Sequence, residues 1–100
     1  MALNDRQVPK NAKIVNGTAA VGEGTIDLAA QSKAGRLPVS MVLVRAQGTM
    51  RVGVKAGGPY FNLVANESID LGTFAPGDPA ILYHIRTGGA DVAFEVIIWN

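Results

Sequence analysis

From residue 12 onward the chain is cut every few residues by glycine, proline, asparagine or aspartate, and this punctuation constrains its fold more than any other feature. Between the cuts lie short runs rich in Val, Ile, Leu, Phe, Tyr and Thr, which suit a pleated, half-buried surface. The runs cover residues 12–15, 25–28, 37–46, 50–55, 60–64, 68–71, 80–86 and 91–99. Helices have little room. Only residues 26–36 have a helix-permissive composition: Asp27, Leu28, Ala29, Ala30, Gln31, Ser32, Lys33 and Ala34 allow about two turns before Gly35 stops them. The same stretch also reads as a strand end and loop.

The joints carry turn chemistry. Gln47-Gly48-Thr49 and Thr87-Gly88-Gly89-Ala90 read as hairpin-like links, because glycine adopts the positive φ of a tight reversal without steric cost. Gly57-Gly58-Pro59 and Ala75-Pro76-Gly77-Asp78-Pro79 read as stiffer corners. About eight mostly antiparallel strands at this spacing predict an all-β, two-sheet sandwich of jelly-roll type, with a small barrel as the second choice. Residues 1–13 carry Asn, Asp, Arg, Gln, Pro and two Lys with few apolar anchors, and read as an extended N-terminal arm that Pro9 keeps from being helical. Residues 14–100 then form one sandwich domain, since 100 residues leave room for a single core.

Only 17% of residues are charged, against roughly 25% in ordinary globular domains. A charge deficit follows if part of the surface faces another chain, or if Gly, Ala, Ser, Thr and Asn supply the polar cover. The net charge is +1 with basic and acidic residues interspersed, so no basic stripe exists to neutralise phosphates, and nucleic acid is not an expected partner. The absence of cysteine removes disulfides, thiolate nucleophiles and thiolate metal sites. The start, Met1-Ala2-Leu3-Asn4-Asp5-Arg6, lacks the features of a signal peptide, and no apolar run approaches the ~20 residues of a membrane span. A soluble protein made in a cytoplasm is expected. The sequons at Asn16 and Asn66 read as turns.

Strand faces add a second constraint. Arg51-Val52-Gly53-Val54-Lys55 alternates, with Val52 and Val54 on one side and Arg51 and Lys55 on the other, as in a sheet with one wet face. In residues 39–44 both faces are apolar, Val39, Met41 and Leu43 against Val42 and Val44. The last strand repeats this, with Val92, Phe94, Val96 and Ile98 on one side and Ala93, Ile97 and Trp99 on the other. A two-layer sandwich buries one face of each sheet, so the second apolar face needs a further cover. Another subunit is the expected cover, with Ala93, Ile97 and Trp99 at a self-association interface; the N-terminal arm or residues 26–36 are the alternatives.

Catalytic and metal chemistry find little to work with. His84 is the only histidine, which excludes multi-histidine metal cages. Asp27, Glu67, Asp70, Asp78, Asp91 and Glu95 lack calcium-loop spacing. A triad would have to join His84 to Ser32, Ser40 or Ser68, none in a nucleophile-type turn. His84 shares a face with Leu82 and Arg86, and reads as an exposed or interfacial residue. The glycine-rich stretches around Gly22 and Gly57 lack the context of a phosphate loop. Neither an enzyme nor a cofactor is expected.

The polar arm, the Val/Ala/Gly-rich strands, the lack of cysteine and the apolar closing strand together resemble the small decoration, or cement, proteins of tailed-phage capsids. Pro59-Tyr-Phe-Asn-Leu-Val-Ala-Asn-Glu-Ser-Ile-Asp-Leu71 and Asp91-Val-Ala-Phe-Glu-Val-Ile-Ile-Trp-Asn100 carry the resemblance. It implies a jelly-roll homotrimer on the outside of a capsid, with the arm gripping the major capsid protein through Arg6, Val8, Pro9, Lys10 and Lys13. A carbohydrate-binding module using Tyr60, Phe61 and Trp99 as stacking surfaces is the alternative, and a small enzyme built around His84 a third.

Overall fold

A computed structural model describes residues 11–100. Each predicted run holds a strand: β1 (Ala12–Ala19), β2 (Gly24–Asp27), β3 (Met41–Ala46), β4 (Met50–Gly53), β5 (Phe61–Leu63), β6 (Ser68–Asp70), β7 (Ile81–Arg86) and β8 (Val92–Trp99). Between β2 and β3 lies α1 (Leu28–Gln31), a single turn. The Asp27 carboxylate caps it by accepting from the Ala30 N–H at 3.1 Å. Ser32 returns to an extended conformation and ends it. No helix among the described residues is long and apolar enough to cross a membrane.

The strands pair from the outside inward: β1 with β8, β2 with β7, β3 with β6 and β4 with β5, all antiparallel. This is one long nested hairpin. Rolling it up brings β8 against β3 and β7 against β4, giving the sheets β1-β8-β3-β6 and β2-β7-β4-β5. The result is the expected antiparallel two-sheet sandwich of jelly-roll type.

The turns behave differently from their sequence reading. Gln47-Gly48-Thr49 and Thr87-Gly88-Gly89-Ala90 join strands of opposite sheets, so both are arches across the core and not hairpins. The one pair of consecutive strands that shares a sheet, β4 and β5, is joined through Gly57-Gly58-Pro59. Turn composition specifies a reversal; it does not say whether the returning strand lies beside the first or over it.

The core collects the inward-facing residues of both sheets, with Phe94, Leu28, Met50, Leu82, Ile98 and Val96 among the fully buried. Two face assignments change. Val39 bridges to Phe74 and enters the core, because the strand breaks at Ser40, whose N–H donates to the Trp99 carbonyl; only Met41 and Leu43 stay on the outer face. Val54 is 41% exposed, because β4 ends at Gly53 before the alternation reaches it. β1 also takes in Lys13, expected on the arm, as an exposed strand residue opposite Ile98. Arg6, Val8, Pro9 and Lys10 lie outside the described residues.

Beyond β8, Asn100 pins the long loop that precedes β3. Its side-chain amide donates to Ser32 Oγ, the Arg36 carbonyl and the Pro38 carbonyl, and its oxygen accepts from the Ala34 N–H at 2.8 Å.

Gly17 on β1 lies opposite Phe94, and a Cβ there would stand 2.4 Å from the ring. Gly17→Ala should therefore lower unfolding stability by about 1–3 kcal/mol through overpacking. Gly22→Ala, with no atom within 4 Å, should change it by less than about 0.5 kcal/mol. Urea midpoints of the two variants measure the difference.

Candidate functional site

Strand register settles what lies on the outer face of the β1-β8-β3-β6 sheet. Trp99 stands between Ala12 and Met41, and Ile97 between Ile14 and Leu43. These are two apolar rows of three residues each. The next row is Asn16, Glu95 and Arg45, and beyond it Ala93 stands opposite Thr18. Thus Ile97 and Trp99 belong to one apolar patch, while a polar row separates Ala93 from it. Ile14, Met41 and Leu43 complete the patch. Alternation had marked Met41 and Leu43 as apolar on one face, but only the pairing of β1 and β3 on either side of β8 makes the three strands one surface.

The patch does not all face water. Ile97, in the central strand, is 7% exposed, and Ile14, Met41, Leu43 and Trp99 are half-buried. Glu95, beside the patch, is 8% exposed, and its carboxylate accepts from Gln47 Nε2 at 3.4 Å. Asp70 and Ser68 of β6 border it on the other side.

The second feature is a cleft of about 450 Å³ lined by Val15, Asn16, Gly17, Thr25, Ile26, Asp27, Gln31 and His84. It opens between β1 and β2, which are edge strands of opposite sheets. His84 forms part of its wall and corrects the expectation of an exposed or interfacial histidine: the residue is 7% exposed, on the inner face with Leu82. Its ring centroid is 4.8 Å from that of Phe94, at an interplanar angle of 54°. Gly24 lies directly across from it, where a Cβ would come within 2.3 Å of the ring. The side chain is buried because its neighbour on β2 has none. Nδ1 is sealed and has no hydrogen-bond partner. Burial holds the imidazole below its usual pKa of 6.5, partly offset by the charge of Glu23.

No catalytic set assembles around His84. Ser32 Oγ donates to the Ala29 carbonyl, Ser40 Oγ to the Trp99 and Asn100 carbonyls, and Ser68 lies on the other sheet. Among the described residues no three His, Asp or Glu side chains cluster as metal ligands.

A third feature is an apolar hollow of about 350 Å³ formed by Val54, Lys55, Pro59, Tyr60 and Phe61, with Phe61 53% exposed. The Glu23 carboxylate anchors its edge by accepting from the Tyr60 hydroxyl and from the Gly57 N–H. The tyrosine bond and then the Gly57 bond hold Glu23 below the usual carboxylate range, and the same bond raises the Tyr60 hydroxyl. Trp99 is on the outer face of the other sheet, so Tyr60, Phe61 and Trp99 do not form one stacking platform.

Compared with known protein families, with curated proteins and with solved structures, the chain matches none.

Because the folded state disfavours a charged His84, the unfolded chain takes up the proton first as pH falls. The sign is therefore fixed: stability is complete above about pH 6.5 and falls as pH drops toward the depressed folded pKa. Melting temperatures followed from about pH 7.5 to 5 should show this fall. His84→Leu should reduce the slope in that window, and an unchanged slope would assign the pH dependence to other groups.

Proposed function

We propose that this chain is a structural virion protein, a capsid decoration protein that binds the outside of a phage capsid and clamps neighbouring major capsid proteins. The observation that carries the reading is the pair of apolar rows Ala12–Trp99–Met41 and Ile14–Ile97–Leu43 on an outer sheet face. An apolar strip on a rigid sheet, bordered by Asn16, Glu95, Arg45 and Asp70, has the make-up of an interface core with a polar rim. Symmetric association through it, as a homotrimer, conceals the strip and presents several copies of the N-terminal arm together. Weak arm contacts through Arg6, Val8, Pro9, Lys10 and Lys13 then add by avidity. β1 links the two roles, since Ala12 and Ile14 lie in the patch and Lys13 lies between them on the opposite side of the strand.

No enzyme is proposed. The carbohydrate-module alternative loses its three-ring platform to the separation of Trp99 from Tyr60 and Phe61.

Sedimentation velocity at micromolar concentration tests the first half of this reading. The intact chain should be a trimer, and Trp99→Ser combined with Met41→Ser should shift it to monomer while leaving the β-sheet circular dichroism unchanged. Co-sedimentation with particles of a phage that carries the protein tests the second half. Deleting residues 1–10 should abolish binding and leave the trimer intact. A monomeric native protein would overturn the proposal.

A further inference from the structure

Four strands end the two sheets, and one of them lacks a charge. Free strand edges invite pairing with other chains, and proteins blunt them with charged side chains. Among the described residues β1 carries Lys13, β2 ends on Asp27 and β6 on Asp70, whereas β5 carries no charge. Its apolar residues are not covered either: Phe61 is 53% exposed, and Val64, the first residue after the strand, is 55% exposed.

The flanks of that edge are basic. Arg51 of β4 stands opposite Asn62 on the outer face, and Lys55 borders the apolar hollow beside Phe61. Both cations are exposed, and neither forms an ion pair among the described residues. The strand joined to β5 by residues 64–67, β6, ends the other sheet on the same side and has the opposite sign. Glu67 precedes it and Asp70 closes it, both exposed, their carboxylates accepting from the main-chain N–H of Val64 and of Gly72. Arg45, opposite Ser68, is the one cation in register with β6. One side of the sandwich thus carries a basic edge and an acidic edge, one on each sheet.

Strand direction makes these edges fit each other in a second copy. β3 and β4 follow one another through the arch at Gly48 and run in opposite senses, and β6 and β5 are antiparallel to them, so β5 and β6 also run in opposite senses. A twofold axis parallel to the strands and midway between the sheets keeps each direction and exchanges the sheets. It brings β5 of one copy beside β6 of the other, antiparallel, twice.

We propose that a second copy of this chain docks on this side of the sandwich, β5 on β6 and β6 on β5, with Arg51 and Lys55 of each copy facing Glu67 and Asp70 of the other. Each sheet is then continuous across the pair in the order β1-β8-β3-β6-β5-β4-β7-β2. Phe61 and Ile69, which register places on the inner side of their strands with Val52 and Val44, come together at the joint. Residues 1–10 suit the basic edge less well, since Arg6 and Lys10 outnumber Asp5. Strands of three residues make a small contact, so it is weak, empty in dilute solution and filled where copies are held close together. It uses neither apolar row of the patch, shares only Asp70 with its rim, and holds whether or not the chain trimerises.

Sedimentation equilibrium of the full-length chain from about 10 μM to 1 mM tests it. The mass should rise reversibly above its micromolar value, whether that value is a trimer or a monomer, so the result stays readable if the trimer fails. An acidic variant, Arg51→Glu with Lys55→Glu, and a basic variant, Glu67→Lys with Asp70→Lys, should each lose association about tenfold or more, because both contacts between like copies then join like charges. All four positions are exposed, and both variants should keep the β-sheet circular dichroism of the intact chain. Their equimolar mixture should regain association, since each contact between unlike copies joins opposite charges. Phe61→Lys, which leaves the turns held by Glu67 and Asp70 untouched, should also abolish the rise. No rise by about 1 mM, a rise that survives Phe61→Lys, or a mixture of folded variants no better than its components would overturn the proposal.

Discussion

The packing of Phe94 against His84 reaches outward to both edges of the sandwich. The two rings belong to facing strands, β8 and β7, and they meet in the middle of the core. Each needs a neighbour without a side chain, so β1 must carry glycine opposite Phe94 and β2 glycine opposite His84. A core close-packed at about 0.75 density cannot absorb a methyl at such a place without moving a ring or a strand. One packing choice thus orders the centre of the core and buries the only histidine.

Much of the fold was legible, because strand-forming runs and their breakers are local features. All eight runs contain strands, and the register of β8 bears out the prediction that Val92, Phe94, Val96 and Ile98 share a face. Pairings between distant strands were less legible. The arches at Gly48 and Gly88 read as hairpins because their residues encode only the bend. Alternation groups His84 with Leu82 but does not tell that this face is the inner one at His84, because its burial depends on Gly24, sixty residues earlier in the chain. Similarly, alternation alone groups Ala93 with Ile97 and Trp99. Glu95 lies between them on the same face, and its row mates Asn16 and Arg45 make that row polar.

The apolar patch and the cleft occupy different parts of β1, a strand with one hydrogen-bonded neighbour among the described residues. Ala12 and Ile14 serve the patch, while Val15, Asn16 and Gly17 line the cleft. Asn16 stands where the two features meet, in the polar row beside the patch and among the residues of the cleft.

The nested order of the strands also governs when this domain is able to fold. In the first sheet both β1 and β3 take β8 as neighbour, and in the second both β2 and β4 take β7. β3 and β4 have nearer partners in β6 and β5, but β1 and β2 pair only with β8 and β7, so among the described residues the first two strands enter a sheet only when the last two do. Those two closures join residues far apart in sequence, the kind of contact whose loop-closure entropy slows folding. Before they close, the apolar strands β3 and β8 are the segments with most to gain from pairing with strands of other chains.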